Sequence, residues 1–149
     1  MVKNRIVIGS DHGAVELKRV LIAHIRSRGD EVQDMGIFAE ESIDYPDIVH
    51  EVVEEFRQND YTCGIVCCGT GIGVSMCANK YHGIRCALPQ DSYAAEMAKR
   101  HNSANFIAFG GRISYSDPVE KMLDIYLDTK FEGGRHSRRV DKMMDMEEC

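Results

Sequence analysis

The sequence has no hydrophobic run long enough to cross a lipid bilayer, which excludes a helical membrane protein. The first residues lead directly into a predicted strand, so we expect no signal peptide and a cytoplasmic location. An excess of positive charge is also missing: the formal net charge is −6, which argues against nucleic acid as the main partner. A local exception is the basic set near the C-terminus, Arg135, Arg138, Arg139 and Lys142.

Internal repeats, low-complexity linkers and metal-binding spacings are absent as well. The six cysteines contain no C-x-x-C pair and the histidines no zinc-type spacing, so we expect neither a redox pair nor a metal site. Most of the cysteines are expected to be small core residues. With 149 residues, 44% hydrophobic and 28% charged, the chain suits one domain, residues 1–149, with a proper core.

Apolar runs alternate with amphipathic stretches along the whole chain. The predicted strands cover 5–9, 31–35, 63–67, 84–88 and 105–109. The predicted helices cover 14–28, 47–59, 72–80, 92–100 and 117–129, with Ser92 and Asp117-Pro118 at two N-termini, and a short helix ends the tail 131–149. The alternation predicts an α/β fold: a single-domain Rossmann-like three-layer sandwich with a five-stranded parallel sheet and a C-terminal tail helix.

The most informative stretch is residues 65–75, where a buried-type strand ends in the glycine turn, Gly69-Thr70-Gly71-Ile72-Gly73, and a helix begins. Glycines let the backbone approach a ligand closely, and the first N–H groups of a helix have no partners within it. Such donors stabilise an anion, or an oxygen that acquires negative charge. Cys68 immediately precedes the glycines, so we expect its thiol to face the same pocket.

Both features also have a purely structural interpretation. The spacing Gly-x-Gly-x-Gly is neither the dinucleotide-binding fingerprint nor a nucleoside-triphosphate loop. Alone, the turn is as typical of a tight βα connection as of a binding site. Cys68 could be a core residue, or a thiolate base or nucleophile at a helix N-terminus.

Other polar residues fall where the predicted strands end. Asp11-His12 follow strand one and Arg112 follows strand five, at the edge where parallel sheets bind ligands. A polar loop at 36–46, longer than a simple connection needs, also suggests a function. His101-Asn102 lie instead at the amino end of strand five. They can join the same pocket only from another subunit, so we expect a dimer.

Each of these side chains has a simpler role open to it. Asp11 could bind turn N–H groups, His12 could be a solvated turn residue and His101 a helix cap. Arg135 and Arg139, four residues apart on one helix face, could be solvated or could bind a phosphate. Together, however, a thiol base, N–H donors, a histidine acid and paired arginines fit the isomerisation of a sugar phosphate through an enediolate, without metal or cofactor.

The motifs resemble those of the type B ribose-5-phosphate isomerases, a family that also includes galactose-6-phosphate and allose-6-phosphate isomerases. In order along nearly the whole chain they are Gly-Ser-Asp-His-Gly, Asp-Tyr-Pro-Asp, Cys-Gly-Thr-Gly-Ile-Gly, Ala-Asn-Lys, Gly-Ile-Arg, His-Asn, Ala-Phe-Gly-Gly-Arg and Glu-Gly-Gly-Arg-His. Members that lack the cysteine use a glutamate at the position of Val74, so this chain resembles the cysteine branch.

The resemblance implies interconversion of ribose 5-phosphate and ribulose 5-phosphate in the non-oxidative pentose phosphate pathway. It implies Cys68 as the base, His101 as the ring-opening residue and Thr70 as a further catalytic residue. The substrate-binding residues that it implies are Asp11, His12, Tyr45, Gly69, Gly71, Ile72, Gly73, Asn102, Arg112, Arg135 and Arg139. It also implies a homodimer or dimer of dimers with shared sites, whose tail 131–149 packs on a partner.

Two alternatives are open at this point. One is an isomerase specific for a 6-phosphohexose, because pocket depth around Tyr45 and Arg112 decides substrate length. The other is a sugar-phosphate-binding module without turnover.

Overall fold

The computed structural model describes residues 3–36 and 42–148. Its sheet contains five parallel strands in the order β2-β1-β3-β5-β4. They are β1 (Arg5–Ser10), β2 (Glu31–Asp34), β3 (Cys63–Cys68), β4 (Cys86–Ala87) and β5 (Phe106–Gly110). The chain moves from β1 outward to β2 and then to the other side at β3. The carboxyl ends of β1 and β3 therefore flank the switch point, where parallel sheets open a crevice for ligands.

Helices cover both faces of the sheet. They are α1 (Val15–Ser27), α2 (Tyr45–Gln58), α3 (Ile72–Ala78), α4 (Ser92–Arg100), α5 (Val119–Asp128) and α6 (Arg135–Asp145), with single 3-10 turns at His12–Ala14 and Met146–Glu148. Alternate strand residues point to opposite faces, so each strand contributes to two cores. One core packs against α1, α4 and α5, and the other against α2 and α3. The predicted three-layer fold with a tail helix is thus confirmed.

The fourth strand is Cys86–Ala87, shorter than the predicted 84–88, and asparagine side chains bind the backbone at its start. The N–H of Arg85 donates to Asn105 Oδ1 at 2.8 Å, and that of Cys86 donates to Asn79 Oδ1 at 2.8 Å. The Arg85 carbonyl also accepts from the N–H groups of Asn105 and Phe106, both at 3.1 Å, so this segment lies beside β5. An apolar run in the sequence does not reveal the asparagine bonds.

Two predicted caps were wrong. Asp91, not Ser92, caps α4, and its carboxylate accepts a hydrogen bond from the N–H of Ala94 at 2.8 Å. The carboxylate of Asp117 accepts from the N–H of Ser92 instead of capping α5, which begins at Val119. Asp117 therefore ties two helices together.

The predicted polar loop at 36–46 lies partly outside the described residues, which exclude 37–41. Its end was predicted two residues too late, because α2 already begins at Tyr45 with Pro46 in its first turn. Cys149 also lies outside the described residues. None of the described helices has the length and apolar character needed to span a membrane.

Candidate active site

The glycine turn is held against the loop that follows β5. The N–H of Gly111 donates to the Cys68 carbonyl and the N–H of Arg112 donates to the Gly69 carbonyl, both at 2.9 Å. Gly71 has a φ of +80°, and a Cβ there would lie 2.7 Å from Leu88 Cδ1. Only glycine fits this backbone conformation and this space. The turn is therefore closely packed and its shape is fixed before any ligand arrives.

Cys68 is the one cysteine of β3 whose sulfur faces the glycine turn. Its Sγ accepts a hydrogen bond from the N–H of Gly71 at 3.1 Å, and the residue is 6% exposed. Cys67 points to the opposite face of the sheet, where burial raises the pKa of its thiol to about 12. Burial also raises the pKa of Cys63 to about 12. Of these three sulfurs, only that of Cys68 lies beside the backbone donors of the glycine turn.

Several backbone donors of the glycine turn remain open. The hydroxyl of Thr70 accepts from the N–H of Ile72 at 3.2 Å. No residue in the described ranges accepts a hydrogen bond from the N–H groups of Gly69, Thr70 or Gly73. These donors lie beside the Cys68 sulfur and can hold oxygens that become negative during a reaction.

The turn after β1 packs directly against the glycine turn, as predicted. A Cβ on Gly13 would lie 2.9 Å from the backbone nitrogen of Gly69. The carboxylate of Asp11, 8% exposed, accepts from the N–H of Gly13 at 2.8 Å. The simpler role of Asp11 in its turn is therefore observed.

Three further predicted residues line this edge. A Cβ on Gly73 would lie 2.6 Å from the ring of Tyr45, so the tyrosine covers the start of α3. The guanidinium of Arg112 lies over Gly69, 3.5 Å from a Cβ built there. His12 is exposed, and its Nδ1 accepts from the N–H of Ile43 at 3.4 Å. This bond leaves His12 Nε2 free to carry a proton toward a ligand.

The remaining predicted residues lie near the amino ends of the strands, at the other end from the glycine turn. His101 caps the C-terminus of α4, and its ring stacks on that of His136 with centroids 4.1 Å apart and planes 10° apart. Asn102 and the two arginines that begin and continue α6, Arg135 and Arg139, are exposed. The N–H of Glu132 donates to the Arg100 carbonyl at 3.0 Å, which ties the tail to the end of α4.

The predicted site residues thus form two groups in one chain. Cys68 and the glycine turn follow the carboxyl ends of the strands, whereas His101 precedes β5, a strand of five residues. At about 3.3 Å per residue, the first and last residues of β5 are about 13 Å apart. Cys68, which pairs with Gly110, and His101 of one chain therefore lie at opposite ends of β5.

Sequence reasoning missed His136 and Glu132. His136 is 5% exposed, and no described residue makes a hydrogen bond with its Nε2. Its pKa is lowered, first by burial of the ring and then by the charge of His101. The Glu-Gly-Gly-Arg-His motif contains both residues, but only the fold places His101 beside them.

Comparisons with known proteins identify the family of this chain. The family profile described as Ribose/Galactose Isomerase matches residues 6–143. A ribose-5-P isomerase B from Listeria innocua is 40% identical over 144 residues, covering 97% of each chain. The solved ribose-5-phosphate isomerase B of Clostridium thermocellum has a TM-score of 0.92 and 44% identity, covering 97% of each chain.

A third relative was solved with a sugar phosphate. It is ribose-5-phosphate isomerase B from Mycoplasma genitalium with bound ribulose-5-phosphate, at a TM-score of 0.90 and 36% identity, covering 97% of this chain and 96% of that one. The profile match and these alignments cover both ends of β5, where the two groups of predicted site residues lie. The chain is an isomerase and belongs to the ribose/galactose isomerase family.

Proposed function

We propose that the protein interconverts D-ribose 5-phosphate and D-ribulose 5-phosphate, as a step of the non-oxidative pentose phosphate pathway. The observation that carries the proposal is the Cys68 sulfur, bonded to the N–H of Gly71 beside three N–H groups without acceptors in the described ranges. The named relatives support the pentose as substrate, since they are ribose-5-phosphate isomerases of type B.

In the proposed mechanism, Cys68 moves a proton between two neighbouring carbons. The thiolate removes the proton from C2 of the open-chain aldose, and the electron pair moves to the carbonyl oxygen on C1, giving an enediolate. The N–H groups of Gly69, Thr70 and Gly73 stabilise the oxygens that become negative. The hydroxyl proton on O2 passes to O1, and return of the carbon-bound proton from the thiol to C1 gives the ketose, with its carbonyl at C2, and restores the thiolate. The reaction therefore needs no added reductant or oxidant.

A second subunit would complete the site in a homodimer or dimer of dimers. It would contribute His101, whose imidazole transfers the proton needed to open the furanose ring, together with Asn102. Arg135 and Arg139 would bind the phosphate with Arg112 and His12. Asp11 and Tyr45 would contact the sugar.

The surface of the chain supports such an assembly. A groove of about 1040 Å³ lies between β4, α4 and the tail. Large apolar side chains around it are exposed, including Tyr93 and Met146 at 70% each. Exposed apolar patches of this kind are typical of subunit interfaces. We propose that the tail 131–149 packs on the partner subunit at this groove.

The initial rate on ribose 5-phosphate, measured with a metal chelator present, tests the proposed function. We expect formation of ribulose 5-phosphate with a kcat/KM at least about tenfold above that for allose 6-phosphate, because pocket depth determines substrate length. Faster turnover of the hexose phosphate would show that the pentose assignment is wrong. Binding of both sugars without turnover would show a binding module.

Replacing Arg139 with alanine is expected to raise KM by about tenfold or more while kcat changes less. The reason is that a phosphate contact far from the reacting carbons is equally strong in substrate and transition state. Arg138 offers a matched control, since it is also exposed but lies about 100° around α6. Equal KM values for Arg139→Ala, Arg138→Ala and the wild type would leave Arg139 as a solvated residue.

A further inference from the structure

We propose that His101, Glu132 and His136 form a binding site for a divalent transition-metal ion of the zinc type. One ligand atom from each residue lies within 4.8 Å of the other two. Neither residue spacing nor the isomerase reaction predicts this cluster, because it joins the end of α4 to the tail at the start of α6.

Glu132 and His136 are nearly placed for coordination. Glu132 Oε1 and His136 Nε2 are 3.7 Å apart, too far for a hydrogen bond. Two ligands of a tetrahedral ion with bonds of 2.0–2.2 Å are separated by about 3.4 Å. A shift of about 0.3 Å at the half-exposed Glu132 side chain would therefore bring both atoms to an ion.

The observation that points to a ligand is His136 Nε2, which makes no hydrogen bond with any described residue. The ring is 5% exposed, and among the described residues nothing makes a hydrogen bond with Nε2. A buried polar atom without a partner is costly unless something binds it. Packing also holds this ring in place, so one nitrogen donor is oriented before any ion arrives.

The third ligand requires a movement of His101. An ion bound by two imidazoles lies near the plane of each ring, and rings stacked at 4.1 Å with planes 10° apart do not allow this. His101 is half-buried at the helix end, and in the described part of the chain no side-chain hydrogen bond holds its ring. Metal binding would therefore turn His101 out of the stack.

The ligand set favours a particular class of ion. Two imidazoles and one carboxylate suit Zn²⁺, Co²⁺, Ni²⁺ or Cu²⁺, whereas Mg²⁺ and Ca²⁺ prefer oxygen ligands alone. The neighbouring charges of Arg135 and Arg139 oppose a cation, so we expect micromolar rather than tighter binding. If the proposed role of His101 in ring opening is correct, the bound ion would also inhibit the isomerase by occupying that residue.

Titration calorimetry of the whole protein with Zn²⁺, in buffer without chelator, tests the site. We expect one ion per chain, at least tenfold weaker binding in Glu132→Gln and in His136→Asn, and no binding of Mg²⁺. His82→Asn is the matched control, since His82 is exposed in a turn outside the cluster. The Glu132→Gln variant is expected to fold normally even if His136→Asn does not, because the Glu132 side chain is 50% exposed.

Co²⁺ provides an optical readout that does not depend on turnover. We expect the visible absorption of tetrahedral Co²⁺ in the wild type and its loss in both cluster variants. Unchanged binding in these variants would overturn the site. So would a cobalt–thiolate band that disappears in Cys68→Ser, because it would place the ion on sulfur. Failure of the isomerase assay alone would not affect either result.

Discussion

Replacing Cys68 with serine is expected to lower kcat by at least about 10³-fold, within the range that a positioned general base contributes. Serine keeps the size of the side chain, but its hydroxyl ionises far less readily than a thiol and makes a poor base at neutral pH. The phosphate contacts lie elsewhere, so binding of inorganic phosphate should change by less than about twofold. Steady-state rates and calorimetry measure the two effects separately.

Cys67→Ala is the control for this substitution. Cys67 adjoins Cys68 in the chain, but its side chain lies in the core on the opposite face of the sheet. The control should lower the free energy of unfolding by about 1 kcal/mol while kcat per folded molecule stays near the wild-type value. Near-normal turnover in Cys68→Ser would show that Cys68 is not the base, whatever the result for Cys67→Ala.

A heterodimer of one Cys68→Ser chain and one His101→Asn chain is expected to recover activity that both parent homodimers have lost. We expect each homodimer to be at least about 10²-fold slower than the wild type. In the heterodimer, the intact Cys68 of one chain would face the intact His101 of the other at one of two equivalent sites. Activity should then return to about half the wild-type value, because a twofold-symmetric dimer has two such sites.

Two different affinity tags allow the heterodimer to be purified, and Cys68→Ser chains carrying both tags serve as the control. The expectation follows from the position of the two residues at opposite ends of β5. A heterodimer no faster than its parents would show that each site uses Cys68 and His101 of the same chain. A protein that is monomeric in solution would contradict the shared site directly.

The fold was predictable because its main signals are local. The continuous apolar runs of β1, β3 and β5 are typical of strands buried on both faces, and the structure confirms all three. The errors arose where side chains compete for backbone bonds. Asn79 and Asn105 bind the backbone at the start of β4, and Asp91 takes the cap predicted for Ser92.

The candidate site was predictable only in part. Cys68 and the glycine turn were identified because consecutive residues on either side of a strand end must lie together. His136 was not identified, because its stacking partner His101 lies far away in the sequence. No spacing rule for metal ligands covers residues that the fold brings together from separate segments.

The sequence by itself determined the parallel sheet, the rigid glycine turn and the thiol beside it, because apolar periodicity and glycine dihedrals act over a few neighbouring residues. Only the tertiary structure decided which backbone donors of that turn remain open among the described residues. It also decided that His101 meets Glu132 and His136 rather than Cys68. These contacts depend on strand order and helix packing, which place segments by burying apolar surface across the whole chain.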